Sequence, residues 1–373
     1  MQTLTQTNKK HNFGAGPCIL PQQVLQQAAN AVLDWNGSGL SILEVSHRSP
    51  EFEKVINNAT ALIRELLTVP GDYSILFLQG GASTQFSMVP QSFLKNKAAY
   101  LDSGFFAQKA IAEARHYGEV EIIASSKDKD YSYIPDVHDI VTDADYLHIT
   151  SNNTIEGTEI FEFRNLGIPL ICDMSSDIFS RVIDVRQFDL IYAGAQKNMG
   201  PAGMTLVIIK DSLLERINKT LPAMSDYRVM RSAASLYNTP PVFAIYTAML
   251  NMIWLIEQGG VKAIEQTNIK KAGMLYAEID RNPLFIGKAA IAHRSRMNVT
   301  FDVTDQSLEA QFLEFASARG IIGIKGYRTV GGFRASLYNA LPLKSVEVLI
   351  KAMQDFQSEV LENSSINEQT VSA

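Results

Sequence analysis

Cysteine is nearly absent: Cys18 and Cys172 are the only two in 373 residues. That excludes a disulfide framework and a zinc cluster, and it suits a reducing compartment such as the cytoplasm. Cys172 falls inside an apolar run and Cys18 near a terminal turn, so both read as packing residues rather than exposed nucleophiles. No stretch reaches about 18 apolar residues, which argues against a membrane span. The start of the chain carries Lys9-Lys10-His11 in polar surroundings, unlike the apolar core of a signal peptide. There is no internal repeat.

Charge is also sparse, at 19% of residues, with a net value of -6. An acidic balance points away from nucleic acid as a general partner. It leaves room for an anionic substrate, which a few local arginines can hold. Hydrophobic residues make up 46% of the chain, so a core of ample size and roughly two domains are expected at about 150 residues per domain.

The apolar pattern alternates between short runs and helical periods. A helix is expected from Gln22 to Trp35, followed by the break Asn36-Gly37-Ser38-Gly39, and another from Pro50 to Leu67. Strands are expected at Tyr73–Leu78, Lys97–Leu101, Glu121–Ile123, Tyr146–Ile149, Pro169–Cys172, Leu190–Tyr192 and Met204–Ile209, several of them separated by helical segments. This rhythm implies an α/β fold with a mostly parallel sheet covered on both faces. A long apolar helix follows Pro240-Pro241, and Gly259-Gly260 marks the expected domain boundary. Beyond it, strands at Met297–Val303 and Gly331–Leu337 and helices at Ser307–Arg319 and Lys344–Leu361 read as a smaller α+β unit ending in a frayed polar tail.

In open α/β sheets ligands bind beyond the carboxyl ends of the strands. Three such ends are chemically notable. Gly80-Gly81-Ala82-Ser83-Thr84 is a strand-to-helix turn whose backbone N–H groups can hold a phosphate, although a plain tight turn looks the same. Asp173 closes its strand, either as a helix N-cap or as the acid that keeps a pyridine nitrogen protonated. Lys197, in Ala193-Gly194-Ala195-Gln196-Lys197-Asn198, follows the next strand; partly desolvated, its amine becomes nucleophilic, whereas most lysines are solvated charges. Phosphate cradle, carboxylate and amine match the three ends of pyridoxal phosphate. Phe106, after another strand, could stack on a flat ring, and Arg48, Arg328 and Arg334 are candidate grips for carboxylate or phosphate.

These segments, with Asn12–Pro17, Glu44–Arg48, Gln79–Ala82, Tyr237–Pro241 and Gly331–Asn339, resemble the phosphoserine aminotransferases, class V pyridoxal phosphate enzymes of the aspartate aminotransferase-like fold (fold type I). The resemblance runs nearly end to end. It implies a mostly parallel seven-stranded sheet in a large domain over residues 13–258, and a small α+β domain over 259–373 with residues 1–12 packed on it. It further implies that Lys197 tethers the cofactor, Asp173 pairs with the ring nitrogen, Thr154 contacts the ring hydroxyl and Phe106 stacks where many relatives carry tryptophan. Ala82 and Ser83 would hold the phosphate, helped by Gln196 and by Asn238 and Thr239 from the other subunit of a homodimer. Arg334 would grip the α-carboxylate, and His47, Arg48 and Arg328 the substrate's phosphate or side-chain carboxylate. Tyr327 stands where many relatives have histidine, so this part of the pocket lacks one positive charge.

The implied reaction is amino transfer between glutamate and 3-phosphohydroxypyruvate in serine synthesis, with a role in vitamin B6 synthesis left open. An alanine-glyoxylate aminotransferase would share Lys197 and Asp173 but need no phosphate group. A cysteine desulfurase would need a loop cysteine, which is missing. A non-catalytic cofactor-binding protein is the third alternative, and intact Lys197, Asp173 and Arg334 argue against it.

Overall fold

In the computed structural model the described residues are 9–137, 142–328 and 330–371. A seven-stranded sheet forms from β1 (Tyr73–Leu78), β2 (Lys97–Asp102), β3 (Glu119–Ser125), β4 (Leu147–Thr150), β5 (Leu170–Asp173), β6 (Leu190–Gly194) and β7 (Thr205–Lys210). Their spatial order is β1-β7-β6-β5-β4-β2-β3. Only β7 runs antiparallel to its neighbours, β1 and β6; every other pair is parallel. The carboxyl ends of β1, β2, β4, β5 and β6 therefore share one edge.

Period-two alternation explains why the strands read as continuous apolar runs. Ile149, Cys172, Ile191 and Leu206 enter one buried layer, while Tyr100, Ile171, Tyr192 and Val207 enter the opposite one. Helix Pro50–Leu67 covers the first layer. Ser49 caps it by accepting the Phe52 N–H at 3.3 Å, and Pro50 takes the first turn. The apolar helix Val242–Glu257 packs against it and against Gln22–Leu33. No single helix among the described residues is long and apolar enough to cross a membrane.

A second, antiparallel sheet contains β8 (Phe285–Gly287), β9 (Asn298–Val303) and β10 (Phe333–Ser336), in that order. Phe301, Phe312, Phe333 and Phe356 form an aromatic core between it and helices Glu309–Ala318 and Leu343–Val371. His11–Asn12 pairs in parallel with Ile321–Ile322, which ties the start of the described chain to this unit; residues 1–8 lie outside the described residues.

Two expected boundaries are corrected. The first helix stops at Leu33, because Asp34 is extended and Asn36 turns left-handed at φ 55°. The last helix continues past Leu361 to Val371 rather than fraying at Glu362, since the segment holds no glycine or proline to end it. At Gly259-Gly260 the chain turns between two helices, Val242–Glu257 and Gly260–Arg281, with φ of 91° and 73°. The sequence pattern marks that break but not the second helix.

Candidate active site

Lys197 lies three residues beyond β6, in a turn held from several sides. The Gly200 N–H donates to Ala195 O at 2.8 Å, and the Asn251 amide donates to the carbonyls of Asn198 and Met199, each at 2.9 Å. The Asn339 N–H donates to Asn198 Oδ1 at 3.0 Å, so the segment after β10 grips the same turn. The Cys18 N–H donates to Gln196 O at 3.0 Å, and the Cys18 thiol donates to Lys197 O. Burial pushes that thiol up to about 12, so Cys18 packs rather than reacts. Cys172 is buried in β5, its thiol also pushed upward.

With its backbone fixed, the half-buried Lys197 side chain forms one hydrogen bond among the described residues: Nζ donates to Thr154 Oγ1 at 2.7 Å. The amine also lies 5.3 Å from the centre of the Phe106 ring. Burial lowers its pKa to about 8; the Arg334 charge lowers it too, while Asp173 pulls the other way. A neutral amine is thus accessible close to neutral pH.

Asp173 ends β5, beside Thr150 of β4 and Tyr192 of β6. Its Oδ1 accepts the Ser175 N–H at 2.9 Å, and the Ser175 hydroxyl accepts the Gly194 N–H at 3.1 Å, locking the two strand ends together. Burial raises the Asp173 pKa, opposed by the Ser175 bond and the Lys197 charge. Beneath it, the ring of His148 stacks on Tyr100 with centroids 4.8 Å apart, and His148 Nε2 bonds the Tyr192 hydroxyl at 2.8 Å. Sequence reasoning named neither Ser175 nor this aromatic support as part of the site. For Ser175, its place two residues after a strand-end aspartate was the available signal.

After β1, helix Gly81–Phe93 starts at Gly80, whose φ is 91° and which offers no side-chain cap. The first N–H groups of the helix, including those of Ala82 and Ser83, are the donors that an uncapped helix leaves free. A Cβ on Gly80 would lie 1.9 Å from Thr84 Oγ1, which itself donates to Gly80 O at 2.9 Å, so only glycine makes this turn. Ala82 is half-buried and Ser83 exposed. Half-buried Gln196 folds back on Gly194, where a Cβ would lie 2.7 Å from its Oε1. Next to the turn, Gln79 Nε2 donates to Thr239 O at 3.0 Å; Asn238 beside it is half-buried.

Arg334, on β10, donates from Nη1 to Thr154 O at 3.4 Å, which brings the smaller unit to the Lys197 cluster. Tyr327 packs its ring 5.2 Å from that of Phe105, and Phe105 lies 5.4 Å from Phe106. Lys197, Thr154, Phe106, Asp173, Arg334 and Tyr327 thus belong to one connected group. The others do not join it within a single chain. Arg48 and Arg328 are exposed, and no hydrogen bond or ion pair among the described residues ties them or His47 to the group. His47 Nε2 is buried without a hydrogen-bond partner among the described residues.

An uncapped helix start, a buried carboxylate, a low-pKa amine and an aromatic face suit a planar aldehyde that carries a phosphate and a basic ring nitrogen. The donor set therefore fits the pyridoxal phosphate expected from the sequence.

Residues 10–349 match the family profile of the class-V aminotransferases. The chain is 54% identical over 351 residues to a phosphoserine aminotransferase of Bacteroides thetaiotaomicron, covering 94% of this chain and 99% of that one. A phosphoserine aminotransferase of Flavobacterium psychrophilum is likewise 54% identical, over 355 residues, covering 94% and 100%. Among solved structures, the phosphoserine aminotransferase from Bacillus circulans subsp. alkalophilus superposes with a TM-score of 0.92 at 44% identity, covering 94% of this chain and 99% of the other. The pyridoxal phosphate-bound phosphoserine aminotransferase from Trichomonas vaginalis gives 0.88 at 38%, covering 93% and 100%.

Proposed function

The chain belongs to the class-V aminotransferase family, and we propose that its site transfers the amino group of glutamate to 3-phosphohydroxypyruvate, giving O-phospho-L-serine and 2-oxoglutarate in serine synthesis. The observation that carries the chemistry is the low-pKa Lys197 amine between Thr154, Phe106 and Asp173. The choice of substrate is supported by the high identity to phosphoserine aminotransferases over nearly the whole chain.

The cofactor is pyridoxal phosphate, whose protonated ring withdraws electrons from the substrate α-carbon. Lys197 is its tether. Asp173 would hold the ring nitrogen, Thr154 the ring hydroxyl and Phe106 the face of the ring. The N–H groups of Ala82 and Ser83 take the phosphate, assisted by Gln196. With the cofactor bound, the freed Lys197 Nζ would be the group that takes the α-proton of the substrate and returns it. Arg334 fixes the α-carboxylate in its guanidinium fork.

His47, Arg48, Tyr327 and Arg328 supply the far end of the pocket, for the phosphate or the glutamate side chain. A homodimer completes the site, with Asn238 and Thr239 reaching the phosphate bound by the other subunit. The chain divides into a large unit over 13–258 and a small one over 259–373, and it works in the cytoplasm.

A single-turnover experiment tests this reading. Protein loaded with pyridoxal phosphate and mixed with O-phosphoserine is expected to lose the absorption of its aldehyde form and to release one equivalent of 3-phosphohydroxypyruvate per site. Lys197→Ala is expected to do neither on the same timescale. Conversion by Lys197→Ala at the native rate contradicts the assignment.

A further inference from the structure

Two buried polar atoms of opposite charge beside the site have no hydrogen-bond partner among the described residues: Oε2 of Glu156 and Nε of Arg334. Glu156 is only 9% exposed. It sits in the turn between the paired segments Asn152–Asn153 and Thr158–Glu159, two residues after Thr154. Its other oxygen, Oε1, accepts the Phe105 N–H at 2.7 Å. Phe105 opens helix Phe105–Ala114, which has no side-chain cap of its own at Gly104 and which carries Phe106.

The backbone of Glu156 is held as firmly. Its carbonyl accepts the Thr300 hydroxyl at 2.8 Å, and Thr300 is the cross-strand partner of Arg334. A Cβ on Gly104 would lie 2.7 Å from Glu156 Oε2, so the neighbouring turn closes over the carboxyl. Each group feels the other. Burial raises the Glu156 pKa while Arg334 pulls it down, and burial lowers the Arg334 pKa while Glu156 pushes it up.

A transaminating site must bind a carboxylate and release another one twice in each cycle. An unopposed guanidinium in a partly dry pocket holds such anions too long, because attraction between charges grows as water is excluded. A carboxylate nearby that does not occupy the guanidinium fork weakens that hold and leaves the fork open. We propose that Glu156 is a positioning residue that tempers Arg334, setting how tightly the α-carboxylates of donor and acceptor are held and how quickly they exchange. This rests on the reading of Arg334 as the α-carboxylate anchor.

The test titrates glutarate, which has carboxylates but no amine, into the cofactor-loaded protein and follows the heat of binding. Glu156→Gln keeps an oxygen for the Phe105 N–H and removes the charge. It is expected to bind glutarate about fivefold more tightly, with KM for glutamate and kcat both lowered. A purely structural role would weaken binding. Glu156→Asn withdraws the group from Phe105 as well, and any folded fraction of it must shift affinity in the same direction. Unchanged or weaker glutarate binding in a folded neutral variant overturns the proposal. Arg334→Met separates the two claims: native affinity there overturns the anchor reading itself, whereas a large loss there without tightening in Glu156→Gln overturns only the role of Glu156.

Discussion

Lys197 Nζ donates to Thr154 Oγ1 at 2.7 Å, joining the turn after β6 to the loop after β4. The bond aims the amine into the cluster and offers it an uncharged partner, so burial can lower its pKa to about 8 without an ion pair to restore it.

The neutral amine is the form that reacts with an aldehyde. The rate at which cofactor-free protein takes up pyridoxal phosphate is therefore expected to rise with pH through about 8 and then level off. Asp173→Asn removes a charge that favours the protonated amine, so its midpoint shifts to lower pH. Arg334→Met removes one that opposes it and shifts the midpoint upward. Stopped-flow absorbance against pH checks both signs. The same shift affects folding. Between about 8 and the usual lysine value of 10.5 the unfolded chain binds the extra proton, so this group's contribution to stability rises with pH across that window.

Thr154→Val keeps the shape of the side chain and removes the acceptor. With a net hydrogen-bond worth of about 1 kcal/mol, a roughly fivefold loss in kcat is expected. The melting temperature should change little, because the bond is made at the site rather than in the core.

Gly80→Ala is expected to damage both fold and phosphate binding. The left-handed backbone alone costs roughly 1–2 kcal/mol for a residue with a Cβ, and that Cβ would lie 1.9 Å from Thr84 Oγ1. Equilibrium unfolding should show the loss, and dialysis against pyridoxal phosphate should show weaker retention. By contrast, nothing lies within 4 Å of a Cβ placed on Gly81, so its cost should come from the φ of 69° alone.

Tyr327 offers a hydroxyl where a histidine could offer a charge, and its ring already rests on Phe105. Tyr327→His is expected to raise the preference for the phosphorylated acceptor over hydroxypyruvate by roughly threefold to tenfold, more at pH 6 than at pH 8. Comparing kcat/KM for both acceptors at the two pH values checks this.

The parts of the site legible in the sequence are those fixed by local rules. A glycine pair after a strand, an aspartate closing one and a lysine just past another lie where a parallel sheet presents its ligand edge, so Gly80, Asp173 and Lys197 could be named from pattern. Glu156 could not, because what matters about it is Phe105, 51 residues away, and Thr300, 144 away. The Arg334–Thr154 contact likewise spans 180 residues. Residue type makes Arg48 and Arg328 candidates, and the family resemblance adds His47, yet a single chain leaves all three outside the Lys197 cluster. The end of the last helix escapes the sequence for a related reason: the polar run after Leu361 reads as a tail, but polarity does not end a helix when no breaker is present.

The most direct measurement compares amino transfer from glutamate to 3-phosphohydroxypyruvate, hydroxypyruvate and glyoxylate under identical conditions. A kcat/KM for the phosphorylated acceptor at least about a hundredfold above the other two is predicted, since charge-assisted bonds to the phosphate supply on the order of 3 kcal/mol. Equal or greater activity with glyoxylate or hydroxypyruvate would contradict the assignment, even with the cofactor chemistry at Lys197 intact.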